Sequence, residues 1–149
     1  MKKNIILVVD DSELEAQLAM MALENCDKSL TLHHLKDGIE LVEYLTCQNQ
    51  YSHRSFEENQ NIRLILLDIN MPRMSGLEAL KIIRNDSILR GIPVAILSSS
   101  DEAVDVLNSY NLGANSYIKK QIDLQEFRMS MAQTASFWVN VNKSSIVNV

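Results

Sequence analysis

The chain is poor in glycine and cysteine, and this limits the sites it can form. It has only four glycines, at widely separated positions: Gly38, Gly76, Gly91 and Gly113. They are too scattered for a phosphate-cradling loop or a dinucleotide-binding fingerprint, which disfavours nucleotide enzymes of those kinds. The two cysteines, Cys26 and Cys47, have a spacing that suits neither a zinc site nor a redox pair. We interpret them as reduced structural thiols.

Basic runs and long apolar runs are also absent. The net charge is -5 and the isoelectric point is about 5.1, whereas proteins that bind nucleic acid present a basic face. No apolar stretch approaches the roughly 18 residues of a membrane span. Residues 5–9 imitate a short signal peptide, but Asp10 and Asp11 end it too early for export. The sequence therefore predicts a cytoplasmic protein with no nucleic-acid or membrane partner.

Length and composition favour one globular domain. The chain has 149 residues, of which 46% are hydrophobic and 22% are charged, as in proteins with a packed core. We expect a domain over residues 1–140. Residues 141–149 form a short C-terminal tail, which is too short for an appended output domain.

Five short apolar runs alternate with five helical patterns, which is typical of a parallel sheet covered on both faces. The predicted strands are residues 5–9, 30–35, 64–67, 93–97 and 116–118. The predicted helices are residues 12–25, 38–45, 75–84, 100–111 and 123–140. Right-handed crossovers then build a doubly wound α/β sheet, with its binding crevice at the carboxyl ends of the strands.

A polar stretch over residues 48–63 separates the second helix from the third strand. It is longer than most such connections in compact domains, so we expect a surface loop. Two interpretations remain open for this loop. It is either a contact with a partner or a tolerated insertion.

Polar side chains follow the apolar runs at the predicted crevice. Asp10 and Asp11 follow the first run, Asp68 the third, Ser98 the fourth and Lys120 the fifth. Three crowded carboxylates either retain a proton or bind a divalent cation, and hard oxygen ligands suit Mg²⁺. Taken singly, each residue could be a helix cap, a turn residue or a solvated charge. Together they predict a site for a phosphoryl group, with Asp68 as a carboxylate nucleophile.

Four segments carry a resemblance to the receiver domains of two-component response regulators. They are residues 7–12 (LVVDDS), 66–76 (LLDINMPRMSG), 93–98 (PVAILS) and 113–120 (GANSYIKK). The resemblance covers residues 5–127. It implies a flavodoxin-like fold with a five-stranded parallel sheet in the order 2-1-3-4-5 and helices on both faces.

The resemblance also implies a role for each acid. Asp68 would accept a phosphoryl group from a sensor histidine kinase or a phosphotransfer protein. Asp11, Asp68 and the backbone carbonyl of Asn70 would bind Mg²⁺, or Mn²⁺ in its place, and Asp10 would act through a bound water. Lys120 would pair with a phosphoryl oxygen. Catalysis would then consist of positioning and electrostatics.

A switch is implied at Ser98 and Tyr117. The Ser98 hydroxyl would donate to a phosphoryl oxygen, and Tyr117 would turn into the space that the loop vacates. One residue departs from the family pattern, because Gln121 follows Lys120 where most relatives have a proline. The loop that carries Lys120 therefore either has a costly cis peptide or follows another path.

Output through a noncovalent contact is expected on the fourth helix, fifth strand and fifth helix, where Tyr110 and Phe127 are candidate interface residues. A narrower resemblance, to single-domain regulators that partner phytochrome-type histidine kinases, adds Phe137 and Trp138 as candidate anchors of a homodimer. A monomer is the alternative. A downstream protein target is expected in either case.

Three other functions compete with this interpretation. A phosphatase of the aspartyl-phosphate type needs an Asp-x-Asp motif, whereas residues 68–70 read Asp-Ile-Asn. A flavin-binding module needs hydroxyls and amides in its first loop, where this chain has Asp10 and Asp11. A receiver-like scaffold that binds partners without phosphorylation is the third, and Gln121 is its only support.

Overall fold

The computed structural model describes residues 3–145 and contains one parallel sheet. Its five strands are β1 (Asn4–Val9), β2 (Leu30–Leu35), β3 (Ile62–Leu67), β4 (Val94–Ser98) and β5 (Ser116–Lys119). They pair in the order β2-β1-β3-β4-β5, and all the pairs are parallel. The predicted α/β fold and strand order are confirmed.

Five α-helices alternate with the strands, the last of them after β5. They are α1 (Glu13–Cys26), α2 (Gly38–Leu45), α3 (Gly76–Asn85), α4 (Ala103–Asn111) and α5 (Leu124–Ala135). All but α4 begin after a residue whose side chain accepts a hydrogen bond from the backbone N–H three residues on: Ser12, Asp37, Ser75 and Asp123. Helix α4 has no side-chain cap and begins three residues later than predicted.

Both faces of the sheet are buried, which explains the continuous apolar runs. Ile5, Leu7 and Val9 of β1 pack with residues of α2 and α3. Ile6 and Val8 of the same strand pack with residues of α1 and α5 on the opposite face. The polar residues that follow each strand are therefore held at one edge by a core on both sides.

The segment 48–63 lies mostly at the surface, as predicted, but it is not an irregular loop throughout. It contains two short 3₁₀ helices, Asn49–Tyr51 and Phe56–Asn61, and β3 begins at Ile62. Two of its polar residues, Arg54 and Asn59, are 8% and 5% exposed. The sequence pattern failed here because a polar residue normally indicates exposure.

Arg54 is buried because the polar groups around it satisfy its guanidinium. Its Nη1 donates to the Tyr44 carbonyl and its Nη2 to Asn59 Oδ1 at 3.1 Å. Its Cζ atom lies 3.6 Å from the centre of the Tyr44 ring. Asn59 Nδ2 donates in turn to the Leu45 carbonyl at 2.9 Å. These contacts attach the segment to the end of α2.

The predicted last helix, residues 123–140, is two structures rather than one. Helix α5 ends at Ala135 and continues as a π-helical stretch, Ser136–Val141. Of the predicted tail, Val141 belongs to this stretch and residues 146–149 lie outside the described residues, as do residues 1 and 2.

Across residues 3–145, none of the helices has the length and apolar character needed to cross a membrane. Cys26 and Cys47 are free thiols.

Candidate functional site

Three carboxylates meet at the carboxyl edge of the sheet. One carboxylate oxygen from each of Asp10, Asp11 and Asp68 lies within 4.8 Å of the others. The sheet pairing continues past the strand ends to bring them together, because the backbone N–H of Asp68 donates to the Val9 carbonyl at 3.0 Å. The neighbouring parallel strands thus bring Asp11 and Asp68, which are 57 residues apart in the sequence, close together.

The three acids differ in their surroundings. Asp10 is 3% exposed, and its Oδ1 accepts from the backbone N–H of Ser12 at 2.9 Å. Its carbonyl lies 2.7 Å from His34 Nε2. Asp68 is partly buried and Asp11 is exposed. Asp10 is therefore fixed by the fold, whereas Asp11 faces the solvent.

Burial raises the pKa of Asp68 to about 6. The positive charge of Lys120 opposes this rise, while the charges of Asp10 and Asp11 reinforce it. Hard carboxylate oxygens this close together are the donors that Mg²⁺ and Mn²⁺ prefer. The residues present thus fit a divalent cation.

Lys120 reaches the acids although no proline follows it. Its Nζ lies 2.8 Å from Asp10 Oδ2 and 2.8 Å from Glu15 Oε2. Its backbone N–H donates to the Ser98 carbonyl at 2.7 Å. Since no peptide within residues 3–145 is cis, the Lys120–Gln121 bond is trans. The loop therefore takes another path than a cis peptide and still directs the lysine to the site.

The surroundings of Lys120 favour its charged form. Burial lowers the pKa of the ammonium, but the hydrogen bonds to Asp10 and Glu15 and the nearby charge of Asp68 outweigh it, and the net pKa is raised. Sequence reasoning missed Glu15. The available signal was its place in the first turn of the helix that follows Asp10 and Asp11.

Ser98 and Tyr117 lie on the neighbouring strands β4 and β5. Ser98 is the last residue of β4 and 1% exposed. Its Oγ accepts from the backbone N–H of Ser100 at 3.1 Å. The partly buried Tyr117 donates its hydroxyl to the Ser100 carbonyl at 2.7 Å. Both predicted switch residues thus contact the same loop residue.

The loop after Asp68 is held at two points. Gly76 N–H donates to the Ile69 carbonyl at 2.8 Å. Arg73, at φ 65°, donates from Nε to Asp37 Oδ2 at 2.8 Å, with its Nη2 2.7 Å from the same oxygen. The exposed Asn70 lies between these two points. The ion pair with Asp37 was not predicted, because it joins residues 36 positions apart.

The candidate interface residues are divided between surface and core. Tyr110 and Phe137 are 49% and 47% exposed. Trp138 is partly buried against the core and packs edge to face with Phe137, with ring centres 5.0 Å apart. Phe127, the other candidate, is only 8% exposed and so offers little surface to a partner. It shares the buried face of α5 with Met131, one helical turn later.

Comparison with known proteins agrees with this geometry. The family model of the response regulator receiver domain matches residues 6–132. Response regulator Rcp1 of Synechocystis sp. is 33% identical over 136 residues, which cover 91% of this chain and 89% of that protein.

Two solved structures extend the likeness over nearly the whole chain. The structure of the phosphorylated cyanobacterial phytochrome response regulator RcpA has a TM-score of 0.87 and 31% identity, and the match covers 96% of this chain and 99% of that one. The Mn²⁺-bound form of Rcp1 has a TM-score of 0.84 and 30% identity, with 95% and 98% covered. The chain belongs to the response regulator receiver domain family, whose members are signalling domains of two-component systems.

Proposed function

We propose that this protein is a response regulator that accepts one phosphoryl group on Asp68 and passes the signal to a protein partner. The observation that carries the proposal is the meeting of Asp10, Asp11 and Asp68 at one edge of the sheet, with the Lys120 ammonium 2.8 Å from Asp10. A nucleophile, anionic cation ligands and a positive charge are what phosphoryl transfer to a carboxylate requires.

The reaction exchanges one bond to phosphorus for another. An Asp68 carboxylate oxygen attacks the phosphorus of the donor and forms a P–O bond. In a phosphohistidine donor the P–N bond breaks, its electron pair stays on the imidazole nitrogen, and that nitrogen takes a proton from solvent. Lys120 offsets part of the charge on the phosphoryl oxygens.

Asp11, Asp68 and the Asn70 carbonyl are the proposed direct ligands of the cation, Mg²⁺ or Mn²⁺, and Asp10 would act through a bound water. When bound there, the cation supplies positive charge that offsets the carboxylates and phosphoryl oxygens. The Mn²⁺-bound form of the relative Rcp1 supports a divalent ion in this family. The fixed Asp10 and the exposed Asp11 leave an open side on which a phosphoryl donor can approach.

We infer that Ser98 and Tyr117 transmit the change. The Ser98 hydroxyl would leave its contact with Ser100 N–H to donate to the phosphoryl group. Because Tyr117 bonds the Ser100 carbonyl, a shift of that loop residue alters the position of the tyrosine as well. The added charge thus acts on a pair of hydrogen bonds that share one residue.

The proposed phosphoryl source is a sensor histidine kinase of the phytochrome type or a phosphotransfer protein. The likeness to RcpA, a cyanobacterial phytochrome response regulator, supports this choice. We propose a cytoplasmic location. A downstream protein, or a second copy of the chain, would contact the surface that includes Tyr110, Phe137 and Trp138.

A scaffold that works without phosphorylation is the alternative, and its only support was Gln121. The contact of Lys120 with Asp10 supports the phosphoryl-accepting function instead.

The test uses acetyl phosphate, a small phosphoryl donor, with Mg²⁺ and intact-protein mass spectrometry. Wild type should gain one phosphoryl group, and Asp68→Asn should gain none. Equal labelling of the two proteins would overturn the assignment of Asp68. No labelling of the wild type by acetyl phosphate or by a phosphorylated kinase would overturn the proposed function as a whole.

A further inference from the structure

Glu15 touches the proposed site but has no part in the chemistry described so far. Its Oε2 lies 2.8 Å from Lys120 Nζ, the same distance as that from Nζ to Asp10 Oδ2. The Lys120 side chain is 13% exposed, whereas that of Glu15 is 48% exposed. The Lys120 ammonium is therefore shared between the buried Asp10 and the more exposed Glu15 of α1.

Lys120 interacts with the charge of Asp68, the proposed nucleophile, without a hydrogen bond to it. Within residues 3–145, its side-chain hydrogen bonds are to Asp10 and Glu15, and neither goes to Asp68. A phosphoryl group on Asp68 must therefore draw Lys120 from one of these partners or share its third N–H. In both cases the attraction between Glu15 and the Lys120 ammonium must be weakened before the ammonium can serve the phosphoryl group.

We propose that Glu15 is a positioning residue that holds Lys120 in a resting position and so restrains phosphorylation of Asp68. This inference rests on the proposed function. It concerns the charge of Glu15 and acts through Lys120, since Glu15 contacts none of the phosphoryl-accepting atoms.

The contact between Glu15 and Lys120 should also affect cation binding, in the opposite direction to its effect on phosphorylation. Glu15 shares the ammonium that would otherwise be held by the acids alone, and it adds one negative charge near them. Both effects favour a bound divalent cation. Loss of the Glu15 charge should thus weaken Mg²⁺ binding while it speeds phosphorylation. A residue that only supports the fold would lower both together.

The test compares Glu15→Gln with Glu13→Gln. Glu13 lies in the same first turn of α1 and is exposed, so its substitution removes the same charge without removing a partner of Lys120. At saturating Mg²⁺, Glu15→Gln should be phosphorylated by acetyl phosphate about two- to fivefold faster than wild type, the range expected for a partly exposed ion pair. Its dissociation constant for Mg²⁺, measured by calorimetry without phosphoryl donor, should rise about two- to fivefold.

Three outcomes would overturn the inference. One is a Glu15→Gln protein that reacts at the wild-type rate or more slowly. The second is a Glu13→Gln protein that reproduces both changes, which would show an effect of net charge alone. The third is an equal acceleration by Glu15→Gln in a Lys120→Ala background, where an effect carried by the lysine must disappear. Each of these leaves the labelling of wild type intact, so they are distinct from failure of the proposed function.

Discussion

The backbone of Gly76 packs directly against that of Asp68. A Cβ atom added at Gly76 would lie 2.0 Å from the Asp68 carbonyl oxygen and 3.1 Å from the Ile69 Cα. These atoms belong to the backbone of the loop that carries the proposed phosphoacceptor. The first residue of α3 thus sets how closely the helix approaches the site.

Gly76→Ala should therefore damage both stability and the site. We expect the free energy of unfolding to fall by about 1–3 kcal/mol, because the loop must move to admit the methyl group. Mg²⁺ affinity, measured by calorimetry on the folded variant, should fall as well. Gly91→Ala, in the turn before β4, is the control. Equal Mg²⁺ affinities in wild type and Gly76→Ala would contradict this account.

The raised pKa of Asp68 predicts a pH-dependent stability of the metal-free protein. The folded-state pKa of about 6 lies above the ordinary 3.8, so the folded protein binds this proton more tightly than the unfolded chain. The stabilisation is complete below about pH 4 and is lost as the pH rises through about 6. Asp68→Asn, which has no such charge, should be more stable than wild type at pH 7.5 by about 1–2 kcal/mol, since solvent screens a partly exposed carboxylate.

Urea unfolding in the presence of a chelator, from pH 4 to pH 8, measures this difference. Saturating Mg²⁺ provides the control, because the cation should stabilise wild type more than Asp68→Asn. A difference between the two proteins that stays constant across the pH range would show that burial does not perturb Asp68.

Asp11→Ala should impair the cation site without unfolding the protein. Asp11 is exposed, so its side chain adds little to the core, but its oxygen is one of the three within 4.8 Å. We expect Mg²⁺ affinity to fall at least about tenfold and the Mg²⁺ concentration needed for phosphorylation to rise accordingly. Glu13→Ala is the matched exposed variant. An unaltered Mg²⁺ titration would remove Asp11 from the ligand set.

Arg54→Ala should destabilise the fold while leaving the site intact. The substitution leaves the Tyr44 carbonyl and Asn59 Oδ1 without their guanidinium donor in a buried place. We expect a loss of about 2–4 kcal/mol in the free energy of unfolding. Arg54→Lys should recover little of it, because an ammonium lacks the planar fork that stacks on Tyr44. Full recovery by lysine would mean that charge alone matters.

The proximity of the three acids could be predicted from the sequence, because each comes just after a strand and parallel strands end at a common edge of the sheet. Glu15 and Lys120 could not be paired in this way. They are 105 residues apart, and their contact depends on side-chain rotamers in a loop whose path Gln121 leaves undetermined. The burial of Arg54 was missed for a related reason. Its partners are a backbone carbonyl and a side-chain amide, and a hydropathy pattern does not show which such groups will lie beside an arginine.

The π-helical stretch at Ser136–Val141 has a consequence for the end of the molecule that bears Phe137 and Trp138. A π-helix accommodates an extra residue per turn, and each residue of an α-helix advances by about 100°. Deleting a residue at the start of the stretch would rotate its later side chains, Phe137 and Trp138 among them, by about that angle. Deletion of a single codon would therefore change which of these side chains face outward. The proposed phosphoryl-accepting site, at the opposite end of the strands, would be unchanged.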